Sequence, residues 1–150
     1  MRIYHFLIVA FLCQFSALAN WAEVSTPTSE DLNKLEIIGN IAFCVGKNGT
    51  LLKSTNYGDT WNLLTSSTSS TITSINFVNS NLGFFTTIDG EVYKTQNGGS
   101  SWAGIKLQNP GALNCIDFLD ENIGLTAGDN GNIFRTVDGG ANWNALGSQS

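Results

Sequence analysis

The chain has 150 residues, seven of them Lys or Arg and twelve Asp or Glu, with a formal net charge of −5. Such a surface repels phosphate backbones and no basic stripe offsets it, so nucleic acid is excluded as a partner. With one histidine, His5, and no CxxC pair, the ligand supply excludes a structural zinc site, and no metal or other cofactor is expected.

Residues 1–19 carry one basic residue, Arg2, then an apolar run too short to span a bilayer, then Ala17-Leu18-Ala19. That order is the pattern of a secretory signal peptide cleaved after Ala19. Cys13 does not make it a lipidation signal, because Leu12 stands where a small residue is required. No later stretch is apolar enough to cross a membrane. The segment 20–150 is therefore expected to be exported, secreted or periplasmic, with no membrane insertion after cleavage. It keeps two cysteines, Cys44 and Cys115, too few for a disulfide framework. They are expected to stay unbonded, because a whole repeat separates them and a disulfide needs Cα atoms within about 7 Å.

The four tryptophans, Trp21, Trp61, Trp102 and Trp143, are spaced 40, 41 and 41 residues apart. A fixed period in this range marks propeller blades or solenoid repeats. Asn48-Gly49, Asp89-Gly90 and Asn130-Gly131 recur in step between β-rich runs. Such dipeptides signal tight hairpins, because a type I′ turn needs positive φ at both centres. In the middle repeat, Ile72–Val78, Leu82–Ile88, Glu91–Thr95 and Trp102–Leu107 read as four short strands rich in β-branched and aromatic residues. The fold class is therefore all-β: a propeller of four-stranded antiparallel blades at about 32–64, 72–107 and 113–147. Trp21 to Val24 read as a lone fourth strand left over from a preceding blade, a clasp at about 21–24.

The stretch from Ser54 to Trp61 holds Ser54, Asn56, Gly58, Thr60 and Trp61. The second copy holds Thr95, Asn97, Gly99, Ser101 and Trp102. The third holds Thr136, Asp138, Gly140, Asn142 and Trp143. Each fits Ser/Thr-x-Asp/Asn-x-Gly-x-Thr/Ser-Trp, with Asn142 in place of the hydroxyl residue in the third copy. An Asn or Asp there can close an Asx-turn, glycine supplies positive φ, and tryptophan can pack beneath the turn. These units resemble the Asp-box, or bacterial neuraminidase, repeat class. They are most similar to the photosystem II assembly and stability factor family, whose order of motifs is matched by Ile116-Asp117-Phe118, Gly124 to Gly128, Gly131-Asn132-Ile133-Phe134 and Thr136 to Trp143. The resemblance implies a propeller and a scaffold role, and does not by itself imply photosynthesis.

Three other features bear on function. Arg135 is the single arginine after the signal segment, where the Asp-box sialidases hold substrate with an arginine cluster. It also occupies the repeat position of Lys53 and Lys94, so it reads as a strand residue. Glu36, Asn76 and Asp117 align in the first strand of each repeat, which lies nearest a propeller axis. One polar residue per blade there would line a central channel and hold a cation or ligand. The reading we favour is a hydrogen bond to the next strand's backbone or to channel water. The Ser/Thr-rich run 65–73 reads as a solvated link between blades.

The expected function is that of an exported, non-catalytic scaffold that holds a protein partner during assembly of a larger complex. The alternative is a carbohydrate-binding or glycosidase- or sialidase-related Asp-box propeller. Closed rings use about 4–8 blades, so three make an incomplete ring. The missing blades come from a longer chain or from self-association, and the lone strand at Trp21 favours the former.

Overall fold

The computed structural model describes residues 22–147, and the proposed signal segment and Trp21 lie outside them. Twelve strands form three four-stranded antiparallel sheets in sequence order. The first blade holds β1 (Leu32–Ile38), β2 (Ile41–Gly46), β3 (Leu51–Ser54) and β4 (Asn62–Leu63). The second holds β5 (Ile72–Phe77), β6 (Gly83–Thr87), β7 (Glu91–Thr95) and β8 (Ala103–Lys106). The third holds β9 (Leu113–Phe118), β10 (Gly124–Gly128), β11 (Ile133–Thr136) and β12 (Asn144–Leu146). Among the described residues the only helical pieces are two three-residue 3-10 turns. Ala22 to Val24 form no strand, so the described part of the expected clasp is absent.

Turn chemistry explains two of the three central hairpins as expected. Asn48 and Gly49 take φ of 52° and 67°, and Asn130 and Gly131 take 59° and 71°. Both pairs are the left-handed centres of a type I′ turn, which Asn and Gly adopt at least cost. The Asp89-Gly90 hairpin differs, because only Gly90, at φ 79°, is left-handed. Its turn closes one residue earlier, with the Gly90 amide donating to the Thr87 carbonyl at 3.2 Å. The Thr87 hydroxyl then accepts from the Glu91 amide and pins the start of β7.

Alternation decides what each blade buries. A strand's side chains point to opposite faces with period two. One core forms where the first and second blades meet, from Phe43, Val45, Leu51, Ile75, Phe77, Phe85 and Trp102. Another forms between the second and third, from Phe84, Val92, Ile116 and Phe134, with Phe118 and Trp143 against it. Phe77 stacks on Phe43 with ring centroids 4.0 Å apart, and Phe118 stacks on Phe84 at 3.8 Å. Phe77 and Phe118 each lie over a glycine of their own blade. A Cβ on Gly83 would sit 2.5 Å from the Phe77 ring, and one on Gly124 would sit 2.6 Å from Phe118.

Trp102 is buried, whereas Trp61 and Trp143 are partly exposed. No described blade lies against the Trp61 side of the first blade. Cys44 and Cys115 are both free. Cys44 is buried and Cys115 is exposed.

Candidate functional site

Two sets of residues recur once per blade: the Asp-box loops at the strand 3 to strand 4 connection, and the polar positions of the first strands. The box is a closed hydrogen-bond circuit. In the first blade the Ser54 hydroxyl donates to Asn56 Oδ1 at 2.9 Å and accepts from the Gly58 amide at 2.9 Å. Asn56 Oδ1 then accepts from the Thr60 amide at 3.0 Å. Thr95, Asn97, Gly99 and Ser101 repeat the circuit, with Asn97 Oδ1 accepting from the Ser101 amide at 2.9 Å. Thr136, Asp138, Gly140 and Asn142 repeat it again, and the Asn142 side chain donates to Asp138 Oδ2 at 2.8 Å. The Asn142 amide and side chain, helped by Thr136, hold the Asp138 carboxyl down at about 2. The loop stays in place because Ser54, Thr95 and Thr136 are buried and their hydroxyls satisfy backbone groups.

Trp61, Trp102 and Trp143 each sit under their own loop, against its glycine. Trp102 meets Phe77 edge-on at 6.0 Å and Phe85 at 4.6 Å, and Trp143 meets Phe118 edge-on at 5.9 Å. The box therefore ties an exposed loop to a junction between blades.

The first-strand set behaves differently. Asn76 Nδ2 donates to Asp117 Oδ1 at 3.2 Å, so the second and third blades are joined at this position. Asp117 Oδ1 also accepts from the Phe118 amide at 3.0 Å. Burial pushes the Glu36 carboxyl up, against a hydrogen bond from the Phe77 backbone and the charge of Lys34, and Asp117 adds to the push. The Asn76 bond thus reaches a side chain of the neighbouring first strand rather than strand backbone, and Asn76 Oδ1 is buried with no partner among the described residues.

The other acids have local roles too. Asp120 accepts from the amides of Asn122 and Ile123, which lower its pKa, and Asp129 accepts from Asn114. Asp31 pairs with Lys47 on the surface. Arg135 is exposed on the open face of the third blade. Its counterparts Lys53 and Lys94 reach into the next blade and donate to the carbonyls of Gly98 and Gly139 at 2.7 and 2.8 Å. Sequence reasoning placed Arg135 in the repeat but missed this inter-blade bond, because its acceptor is a backbone atom 45 residues away. A cleft of about 520 Å³ opens between β8 and β12, lined by Ile105, Lys106, Leu107, Phe134, Trp143 and Asn144 among others.

Among solved structures, one described as YCF48 bound to D1 peptide matches with TM-score 0.76 and 28% identity, over 85% of this chain and 43% of that one. YCF48 from Cyanidioschyzon merolae matches with TM-score 0.76 and 24% identity, again over 85% of this chain and 43% of that one. The chain thus spans less than half the length of these two relatives. An ancestral GH74 enzyme shares the fold, with TM-score 0.65 and 22% identity over 79% of this chain and 19% of its own. No curated protein matches the chain. The family model described as Photosynthesis system II assembly factor YCF48 matches residues 13–150. With an Asp box closing each of its three blades, the chain belongs to that assembly factor family.

Proposed function

We propose that this chain is an exported, non-catalytic scaffold whose propeller blades hold an extended segment of a protein partner during assembly of a larger complex. The observation that carries this is the likeness to a YCF48 bound to a D1 peptide, at TM-score 0.76 and 28% identity. The non-catalytic part draws support from the acids. Asp117, Asp120, Asp129 and Asp138 each accept hydrogen bonds that hold a strand or turn. A glycosidase needs two opposed carboxylates free to act on a substrate. Export rests on the signal-peptide pattern of residues 1–19.

The test is fluorescence anisotropy with a labelled D1 peptide and a scrambled peptide of the same composition. Saturable binding of the first and not the second supports the proposal, and equal or absent binding of both overturns it. Assays with a fluorogenic sialoside and with β-glucans are expected to show no turnover. Turnover abolished by Arg135→Ala would reverse the non-catalytic part.

A further inference from the structure

The two junctions between blades share their inner contacts and differ at the outer rim. At the first, Trp102 is closed in from both blades. The Phe85 ring of its own blade lies 4.6 Å away, centroid to centroid, and Tyr93 stacks on Phe85 at 4.6 Å. Leu64 of the first blade reaches across to the same box, 3.5 Å from a Cβ built on Gly99. Strand register identifies the counterparts at the second junction. Thr126 stands where Phe85 stands, and Ile105 stands where Leu64 stands. Thr126 is smaller and donates its hydroxyl to the Cys115 carbonyl at 2.8 Å, and Ile105 stays 41% exposed. Trp143 is therefore left partly open, and the cleft of about 520 Å³ between β8 and β12 is the space that these two replacements leave. Its walls are two adjoining blades, not a face at either end of the stack.

The rim of this cleft is built and polar. The link after β8 is tied down at both ends. The Leu107 amide donates to the Gly90 carbonyl at 3.1 Å, and Asn132 Nδ2 donates to the carbonyls of Asn109 and Pro110 at 3.3 and 3.2 Å. Gln108 and Asn109 line the cleft from this link, and Asn142 and Asn144 line it from the third blade. All four are exposed. Asn142 Nδ2 donates to Asp138 Oδ2 at 2.8 Å, which orients its carboxamide before any ligand arrives. Lys106 is the one charged residue in the lining, and no carboxylate lines it. Each carboxamide offers donors and an acceptor, as a hydroxyl does. An indole offers apolar area and an electron-rich face, to which the slightly positive C–H groups of a pyranose ring are attracted. A purely apolar ligand would strip water from four carboxamides and leave them unpaired, at a cost for each. A highly charged one would find a single counter-charge. A neutral ring rimmed with hydroxyls matches both parts of the lining.

We propose that the cleft between β8 and β12 binds a neutral hexopyranose glycan, with one sugar ring against Trp143 and its hydroxyls bonded to the carboxamides of Gln108, Asn109, Asn142 and Asn144. The cleft has the volume of a small-molecule site, which runs at ~300–1,000 Å³. Glycoside hydrolysis needs two opposed carboxylates, and the lining holds none, so the glycan is bound and released unchanged. The first junction has no such site, because Phe85 and Leu64 occupy the corresponding place. This role is separate from holding a protein partner. It gives the proposed scaffold a second point of attachment, to a glycan.

The experiment is isothermal titration of the full chain with cellohexaose, maltohexaose, mannohexaose and chitohexaose, and with a galacturonic acid hexamer as the charged control. At least one neutral oligosaccharide is expected to bind. Gln108→Ala and Asn144→Ala together should weaken it about tenfold or more. Asn62→Ala, at the repeat position of Asn144 in the first blade, should leave it unchanged. The substituted residues are exposed, and circular dichroism melts check that each variant folds. A second readout uses the wild type alone: on titration the indole N–H resonance of Trp143 shifts and that of buried Trp102 does not. Binding of none of the neutral oligosaccharides, binding of the galacturonate alone, or binding that the double variant leaves intact overturns the proposal. So does a Trp143 resonance that a D1 peptide shifts and no oligosaccharide does, which would put a peptide in the cleft instead.

Discussion

The second blade is covered on both faces and the third on one, yet the same repeat positions carry apolar side chains in each. Phe84 and Val92 are 0% and 3% exposed, whereas Leu125 and Ile133, their counterparts, are 47% and 42% exposed. An apolar residue at a given repeat position therefore reports its place in the blade, and its burial is set by whatever lies alongside. The energetic weight of a position should follow the neighbour rather than the residue type. The middle of the stack and its end can be separated by substitution on that basis.

The largest effect is expected from Phe84→Ala. It removes a fully buried ring stacked on Phe118 and should cost about 3–5 kcal/mol of unfolding free energy. Leu125→Ala changes the same repeat position on the open face, and in a monomer it should cost no more than ~0.5 kcal/mol. Urea unfolding at low protein concentration measures both. Similar costs for the two would break the distinction between covered and open faces.

A smaller effect sharpens the contrast between the inner blades and the first. Gly124→Ala pushes a methyl group into the Phe118 ring, an overpacking that should cost about 1–3 kcal/mol. The first blade shows the compensated version of this site, with Ile37 opposite Ala42. Adding Phe118→Ile to Gly124→Ala should therefore restore part of the loss, giving a coupling outside ~0.5 kcal/mol in a double-mutant cycle. Strictly additive costs would show that the glycine serves some need other than the ring above it.

Much of this architecture was legible in the sequence because its signals are periodic. Tryptophan spacing, the Asn-Gly turns and strand alternation each repeat, and the strands group at Leu32–Leu63, Ile72–Lys106 and Leu113–Leu146. Each Asp box was legible as a turn, since its hydrogen bonds span only two to four residues. What stayed hidden was contact between repeats. The Lys53 and Lys94 bonds, the stacking of Phe77 on Phe43 and of Phe118 on Phe84, and the link from Asn76 to Asp117 all depend on register across sheets. Asp89 misled for another reason. The dipeptide matches its counterparts, but the Thr87 hydroxyl captures the Glu91 amide and closes a different turn. At the chain start, Ala22 to Val24 lack a strand despite the recurring tryptophan before them. A fourth strand needs a third strand to pair with, and none of the described residues supplies one there.

The smallest difference between blades lies within the Asp boxes, where the third uses a carboxylate and the first two use amides. All three accept an amide from the residue four places on, so Asp138→Asn should leave the fold intact, as Asn56 and Asn97 already do in their loops. Its consequence should appear in acid. The Asp138 carboxyl is held at about 2, below its ordinary 3.8, by hydrogen bonds that favour the charged form. A lowered folded-state value contributes stability that is complete above the unfolded value and lost as pH falls towards about 2. Glu36 has the opposite sign. Burial raises its pKa, so its contribution is complete below its ordinary 4.5 and is lost as pH rises through the folded value. A wild-type acid titration mixes the two. In a Glu36→Gln background, unfolding monitored between pH 5 and pH 2 should show Asp138→Asn flattening the loss of stability on acidification. An unchanged acid slope would mean that the carboxylate in the third box adds nothing beyond what the amides of the first two provide.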